Sequence, residues 1–238
     1  MIFYLLYSIL LILLIFITSR KIIDNLYKIL YKITGNKKTS VWILVLFLLP
    51  GTVMHELAHF LAATLVRVPT GPMSIFPKFE KNYDEKGDRL LVKTGHIMVA
   101  KTDPFRLTVI GVAPMLIGLL IIYVCGKFLI GNTGGIFERT LQINTLIASY
   151  ILLIASSSMF SSGQDLKSLL ITAPVIGLLL SALYYSGIKI VVEERVIERV
   201  TFILKDLNGY LLLTAAIDFG VLMTTGLGIM LFRGREKG

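Results

Sequence analysis

The chain has 238 residues, of which 55% are hydrophobic and only 16% are charged. A soluble domain carries about 25% charged residues, so this composition excludes a water-soluble globular protein and indicates an integral membrane protein. The net charge of +9 does not indicate nucleic-acid binding. The lysines and arginines stand mainly between apolar runs, where they meet lipid headgroups and set topology. The single cysteine, Cys125, excludes a disulfide scaffold.

Six apolar runs each approach the roughly 20 residues that a helix needs to cross a bilayer. They predict an all-α membrane protein with about six transmembrane helices, at residues 2–18, 41–66, 107–130, 141–160, 169–188 and 210–232. The first run has neither a basic segment before it nor a small-residue cleavage site. It is therefore predicted to be an anchor and not a cleaved signal peptide.

The segments between these runs differ in kind. Residues 20–40 and 189–208 combine charges with apolar residues at helical spacing, which predicts amphipathic helices lying on the membrane surface. Residues 67–106 start with several prolines and continue into a stretch rich in β-branched residues at 90–101. This pattern predicts a strand within a small membrane-associated β-hairpin.

No internal repeat divides the sequence, so residues 1–238 are predicted to form one membrane-embedded domain. Its core is expected at residues 41–170. A helix at 2–19 with the amphipathic segment 20–40 precedes this core, and the C-terminal helices at 169–232 follow it.

The second apolar run contains the motif H-E-x-x-H, formed by His55, Glu56 and His59. Side chains four residues apart lie on one face of a helix, so the two imidazoles can bind one zinc ion while Glu56 serves as general base. Ionisable groups at membrane depth cost several kcal/mol and usually mark a functional site. The motif therefore predicts a catalytic Zn²⁺ site rather than two buried structural histidines.

A hydrolytic zinc site needs a third protein ligand and an open position. Asp165 follows the fourth run, near the face at which the second run ends, while Asp218 lies in the middle of the sixth run. Both aspartates are candidates at this point. Cys125 is better interpreted as a packing residue of a membrane helix. His96 is better interpreted as a polar loop residue than as part of a substrate path.

The helix at 50–65 resembles the first core helix of the site-2 protease family of intramembrane zinc metalloproteases. That family has an aspartate two helices after H-E-x-x-H, the place that Asp165 takes here, and Gly111-Val112-Ala113-Pro114 resembles the small-residue and proline motif of its middle helix. The resemblance covers about residues 41–170 and implies Zn²⁺ held by His55, His59 and Asp165. Serines stand before Asp165 where the family commonly has Asn and Pro.

What the resemblance implies is hydrolysis of peptide bonds in transmembrane or membrane-adjacent segments of substrate proteins, in a multi-pass protein of the cell membrane. It also implies a catalytic face toward the cytosol. The charges do not decide this orientation, because each face carries 12 Lys and Arg. One alternative is an inactive relative that acts as a scaffold or chaperone for membrane proteins. Another is an ion transporter, which the lack of repeated halves disfavours.

Overall fold

A computed structural model describes residues 1–76, 78–84, 87–93, 96–100, 102–131, 143–159, 177–178, 181–182, 185–186 and 193–234; for 78–98, 131 and 232–234 only the backbone is described. The described chain is mostly helical. Its long helices are α1 (Ile2–Thr34), α2 (Lys37–Leu65), α3 (Pro104–Gly131), α4 (Ile143–Ser158) and α5 (Glu194–Gly234). Four of them are long and apolar enough to cross a membrane, whereas α4 has 16 residues and is shorter.

Helix α1 corrects the prediction of a separate amphipathic helix at 20–40, because it continues without a break from Ile2 to Thr34. Helices end at caps, and the first such signal is Gly35 with the left-handed φ of 64° that glycine tolerates best. Its N–H donates to the carbonyl of Tyr31, and the Asn36 side chain then accepts from Lys38 N–H at 2.9 Å to start α2. The dipeptide Gly35-Asn36 therefore sets the boundary between α1 and α2.

Helix α5 likewise joins two predicted elements, the amphipathic segment 189–208 and the run 210–232, into one helix from Glu194 to Gly234. Asn208 and Gly209, which often mark a turn, lie inside it. The Asn208 side chain is satisfied by α1, since its Nδ2 donates to the Tyr4 carbonyl at 3.0 Å and its Oδ1 accepts from Ser8 Oγ at 2.7 Å. This tertiary pairing explains why the helix continues.

The structure describes the fourth and fifth predicted spans, at 141–160 and 169–188, only in part. Helix α4 accounts for most of the run 141–160. The run 169–188 lies outside the described residues except for six scattered positions.

The core is a cluster of buried side chains from α1, α3, α4 and α5, and it includes Leu11, Ile122, Leu152 and Leu211. Large apolar side chains also cover the outside of the helices, among them Phe3, Leu65 and Leu231, each more than 70% exposed. Extended apolar surface of this kind is rare on water-soluble monomers. Helices with apolar side chains on both inner and outer faces fit a membrane protein.

Strands occupy the connection between α2 and α3. Strand β1 (Thr70–Ser74) pairs antiparallel with β4 (His96–Val99), and β2 (Lys78–Asp84) pairs antiparallel with β3 (Gly87–Lys93). The predicted single strand at 90–101 is thus wrong in detail, because its residues are divided between β3 and β4.

The chain after α2 runs back along α2. The ring of Phe76, just beyond β1, lies 6.0 Å from the ring of Trp42, near the start of α2. Trp42 and Leu65 are about 35 Å apart along the helix axis at 1.5 Å per residue. The segment from Leu65 to Phe76 therefore spans most of the length of α2, and strands β1 and β4 both contact this helix.

Asp103 caps the start of α3. Its Oδ1 accepts from Arg106 N–H at 3.0 Å, and Pro104 occupies the first helical position, where no N–H is needed. The hydrogen bond from the Arg106 backbone lowers the pKa of the Asp103 carboxyl.

We expect Asp103→Ala to lower the thermal midpoint by a few degrees at most. Because the pKa is lowered in the folded chain, the stabilisation is present above the ordinary carboxyl range and is lost as pH falls below about 4. Thermal unfolding of wild type and variant at neutral and acidic pH checks this. If the gap between the thermal midpoints of wild type and Asp103→Ala grew as pH falls, the capping role would be contradicted.

Candidate metal centre

The H-E-x-x-H motif lies in the last third of α2. His55, Glu56 and His59 are exposed by only 3%, 5% and 7% respectively, so all three polar side chains are buried inside the protein. Buried ionisable groups need specific partners. The partners of the two histidine rings define the geometry of the site.

The two imidazoles face each other through their Nε2 atoms, which are 3.2 Å apart. Their rings are perpendicular, with centroids 4.7 Å apart. Two nitrogen ligands, each about 2.0–2.1 Å from a tetrahedral zinc, lie roughly 3.3 Å from each other. The observed separation therefore fits two ligands of one zinc ion.

The ring of His59 is held by α3. Its Nδ1 lies 2.8 Å from the carbonyl oxygen of Ile110. A carbonyl can only accept, so Nδ1 carries the proton, and Nε2 of the neutral ring presents its lone pair toward His55. Zinc-binding histidines commonly donate the second ring nitrogen to a carbonyl or carboxylate in this way.

Ile110 itself is well placed because it belongs to a small buried cluster. It packs with Ala62, Ala63 and Val68, where the last turn of α2 meets the first third of α3. The small alanine side chains on α2 allow α3 to approach closely. This packing fixes the distance between His59 and the Ile110 carbonyl.

Gly51 allows a second close approach, between α2 and α4, one turn before His55. A Cβ at this position would lie 2.5 Å from Ile154 Cγ2 and 3.1 Å from the Ile154 carbonyl oxygen. Only glycine avoids this overlap without movement of a helix. The close packing places the motif helix against α4, whose last residue, Ser158, stands seven positions before Asp165 in the sequence.

The predicted third ligand, Asp165, lies outside the described residues. The alternative, Asp218, is fully buried on α5, where its Oδ1 accepts from Ser156 Oγ of α4 at 3.0 Å. Its Oδ2 has no hydrogen-bond partner among the described residues. Within that same part of the chain no three His, Cys, Asp or Glu side chains are grouped to hold a metal, so Asp218 does not join the two histidines.

The other two candidates lie apart from the motif. Cys125 is partly buried in α3 and packs against the main core cluster. The backbone of His96 pairs with Ser74 between β4 and β1, while its side chain lies outside the described atoms.

Exchanging each aspartate for asparagine separates the two candidates for the third ligand. We expect Asp165→Asn to weaken zinc binding by about 100-fold or more, since loss of a direct ligand exceeds the loss of an outer-shell partner. Asp218→Asn should retain zinc, because an amide oxygen can still accept from Ser156. Zinc titration of the two purified variants checks this, and the reverse order would assign the ligand to Asp218.

Sequence reasoning missed two contributions to this site. Pro114 stands in a recognisable motif, but a proline also removes the N–H donor from the carbonyl four residues earlier, which here is that of Ile110. Gly51 stands beside Pro50 in an apolar helix, a position that signals either a bend or a close approach.

No family model, curated protein or solved structure matches the chain.

Proposed function

We propose that this protein is an intramembrane zinc metalloprotease that hydrolyses peptide bonds in transmembrane or membrane-adjacent segments of other proteins. The observation that supports this most is the pair of buried Nε2 atoms of His55 and His59, 3.2 Å apart. A second support is the proton of His59 Nδ1, which the Ile110 carbonyl holds on the side away from the pair. Two buried histidines with this orientation are suited to bind a metal ion.

His55, His59 and Asp165 would hold the zinc ion, with one position left open for water and substrate. When bound, zinc supplies Lewis-acid polarisation of a carbonyl oxygen and acidifies water. The two histidines contribute neutral nitrogen ligands, and Asp165 contributes the negative charge that partly balances the ion.

Glu56 acts as the general base. It is adjacent to His55 and buried, so its carboxylate has little competition from bulk water. It would take a proton from the attacking water as the oxygen–carbon bond forms. It would then give that proton to the leaving amine as the carbon–nitrogen bond breaks.

The substrate would bind in an extended form, because a helix hides its carbonyls in internal hydrogen bonds. In the described chain the sheets are two-stranded ribbons, so each strand has one edge on which a peptide can add. The ribbon of β1 and β4 contacts α2 and so brings such an edge close to the motif helix. The proposed architecture has six membrane-spanning helices, of which residues 169–188 form the fifth. The strands between α2 and α3 lie against the membrane surface in this proposal.

The proposal places the protein in the cell membrane as a multi-pass protein with its catalytic face toward the cytosol. Its partners are the lipid bilayer and a membrane-protein or peptide substrate. An inactive relative that binds membrane proteins as a scaffold is the second candidate, since it would retain the same buried histidines.

The test is elemental analysis of the purified full chain together with cleavage of a transmembrane model substrate. We expect about one zinc per chain and cleavage that a chelator abolishes and added zinc restores. Bound zinc without cleavage of any substrate would favour the scaffold. Absence of zinc from a folded, zinc-supplemented protein would reject both metal-based functions and leave the transporter.

A further inference from the structure

Pro114 lies inside helix α3, four residues after Ile110. In a regular α-helix the carbonyl of residue 110 would accept from the N–H of residue 114. Proline has no N–H, and its ring also presses against the carbonyl four residues earlier. The Ile110 carbonyl therefore cannot receive its regular helical hydrogen bond from position 114.

This same carbonyl is the one that the His59 ring approaches. The distance of 2.8 Å between His59 Nδ1 and Ile110 oxygen is that of a well-formed N–H···O hydrogen bond. Both Ile110 and Pro114 are buried, and Ile110 packs against Ala62 and Ala63 of α2. Because the site is buried, a water molecule is a poor replacement either for His59 Nδ1 or for the Ile110 carbonyl oxygen in this hydrogen bond.

We propose that Pro114 is a positioning residue for the metal centre: it leaves the Ile110 carbonyl available to His59 and so fixes the tautomer and orientation of that ligand. The metal-binding part of this inference rests on the proposed function. The hydrogen bond and the tautomer do not, because they concern the metal-free ring.

A purely architectural role is the alternative for this proline. Prolines are common in membrane helices and bend them. A proline that only bends α3 would have no effect on whether the His59 ring carries its proton on Nδ1 or on Nε2. The two roles therefore differ in what happens to the histidine when the N–H at position 114 is restored.

The test is zinc affinity of the detergent-solubilised full chain, measured by competition with a chelator, in wild type and Pro114→Ala. The restored N–H competes for the carbonyl, so we expect zinc to bind about 10–100-fold more weakly, as for other outer-shell partners. The thermal midpoint should stay equal or rise, since alanine favours a helix interior far more than proline.

Ile122→Val is the matched control. It alters another buried position of α3, two turns further on, by one methylene group. It should leave the zinc affinity unchanged. Equal zinc affinity in Pro114→Ala and wild type would overturn the inference while leaving the protease proposal intact. Failure of wild type itself to bind zinc would instead reject the protease proposal.

A second measurement needs neither zinc nor a folded proline variant. The chain has three histidines, so ¹⁵N labelling of histidine gives three ring systems, which His55→Gln and His96→Gln assign. In metal-free wild type at pH about 8, we expect the neutral His59 ring to carry its proton on Nδ1. A proton on Nε2 would overturn the inference.

Discussion

Glu56→Gln should leave zinc bound and lower the rate of peptide cleavage by about 10²–10⁴-fold, the usual contribution of a general base. Glutamine has nearly the same shape as glutamate, so the buried position in α2 keeps its packing. Its amide cannot accept the proton of the attacking water. The effect therefore falls on the chemical step and not on metal binding.

Glu198→Gln is the matched control, since it removes the same charge from an exposed position of α5. Cleavage by this variant should equal that of wild type. The measurement is the initial rate of product formation with both variants loaded to equal zinc content. If Glu56→Gln cleaved within a few-fold of wild type at equal zinc content, another group would be the base.

His59→Ala should remove zinc at ordinary free-metal concentrations and abolish cleavage. The substitution deletes one of the two facing Nε2 atoms and also the ring that donates to the Ile110 carbonyl. The loss of affinity should exceed the roughly 10–100-fold attached to outer-shell partners alone. Zinc titration of the purified variant measures it.

A deleted ring in a buried position also leaves a cavity, so the folded state of the variant must be measured by its thermal midpoint. His96→Ala is the control for the general effect of removing a histidine, and it should retain zinc. A folded His59→Ala protein that keeps the wild-type zinc affinity would exclude His59 as a ligand.

The local part of the site could be predicted from the sequence because helix periodicity determines it. Side chains at His55 and His59 must share a face of α2, and their nitrogens are indeed adjacent. The contact with Ile110 could not be predicted in the same way. It depends on the register between α2 and α3, which many side chains determine together.

The lengths of the helices were harder to predict than their existence. Apolar runs end where the helix leaves the hydrocarbon, but the backbone continues until a cap or a breaker stops it. Helix α1 therefore extends past the charged residue Arg20 as far as Gly35. Helix α5 passes through Asn208 because residues far away in sequence, Tyr4 and Ser8, satisfy that side chain.

The prediction of the third zinc ligand depends on residues far from the H-E-x-x-H motif in the sequence, so helix periodicity does not help. Its place after the fourth run and the family resemblance both favour Asp165, which stays a prediction. Its competitor Asp218 has a partner of its own in Ser156. A sequence cannot show this pairing, because the two residues are 62 positions apart.

The most direct test of the account uses the full chain in liposomes together with a single-span substrate, with products identified by mass spectrometry. We predict a zinc-dependent cut within or beside the apolar segment of the substrate, absent with Glu56→Gln. Zinc-loaded, folded protein that leaves such substrates intact, or that cuts them equally well with Glu56→Gln, would contradict it.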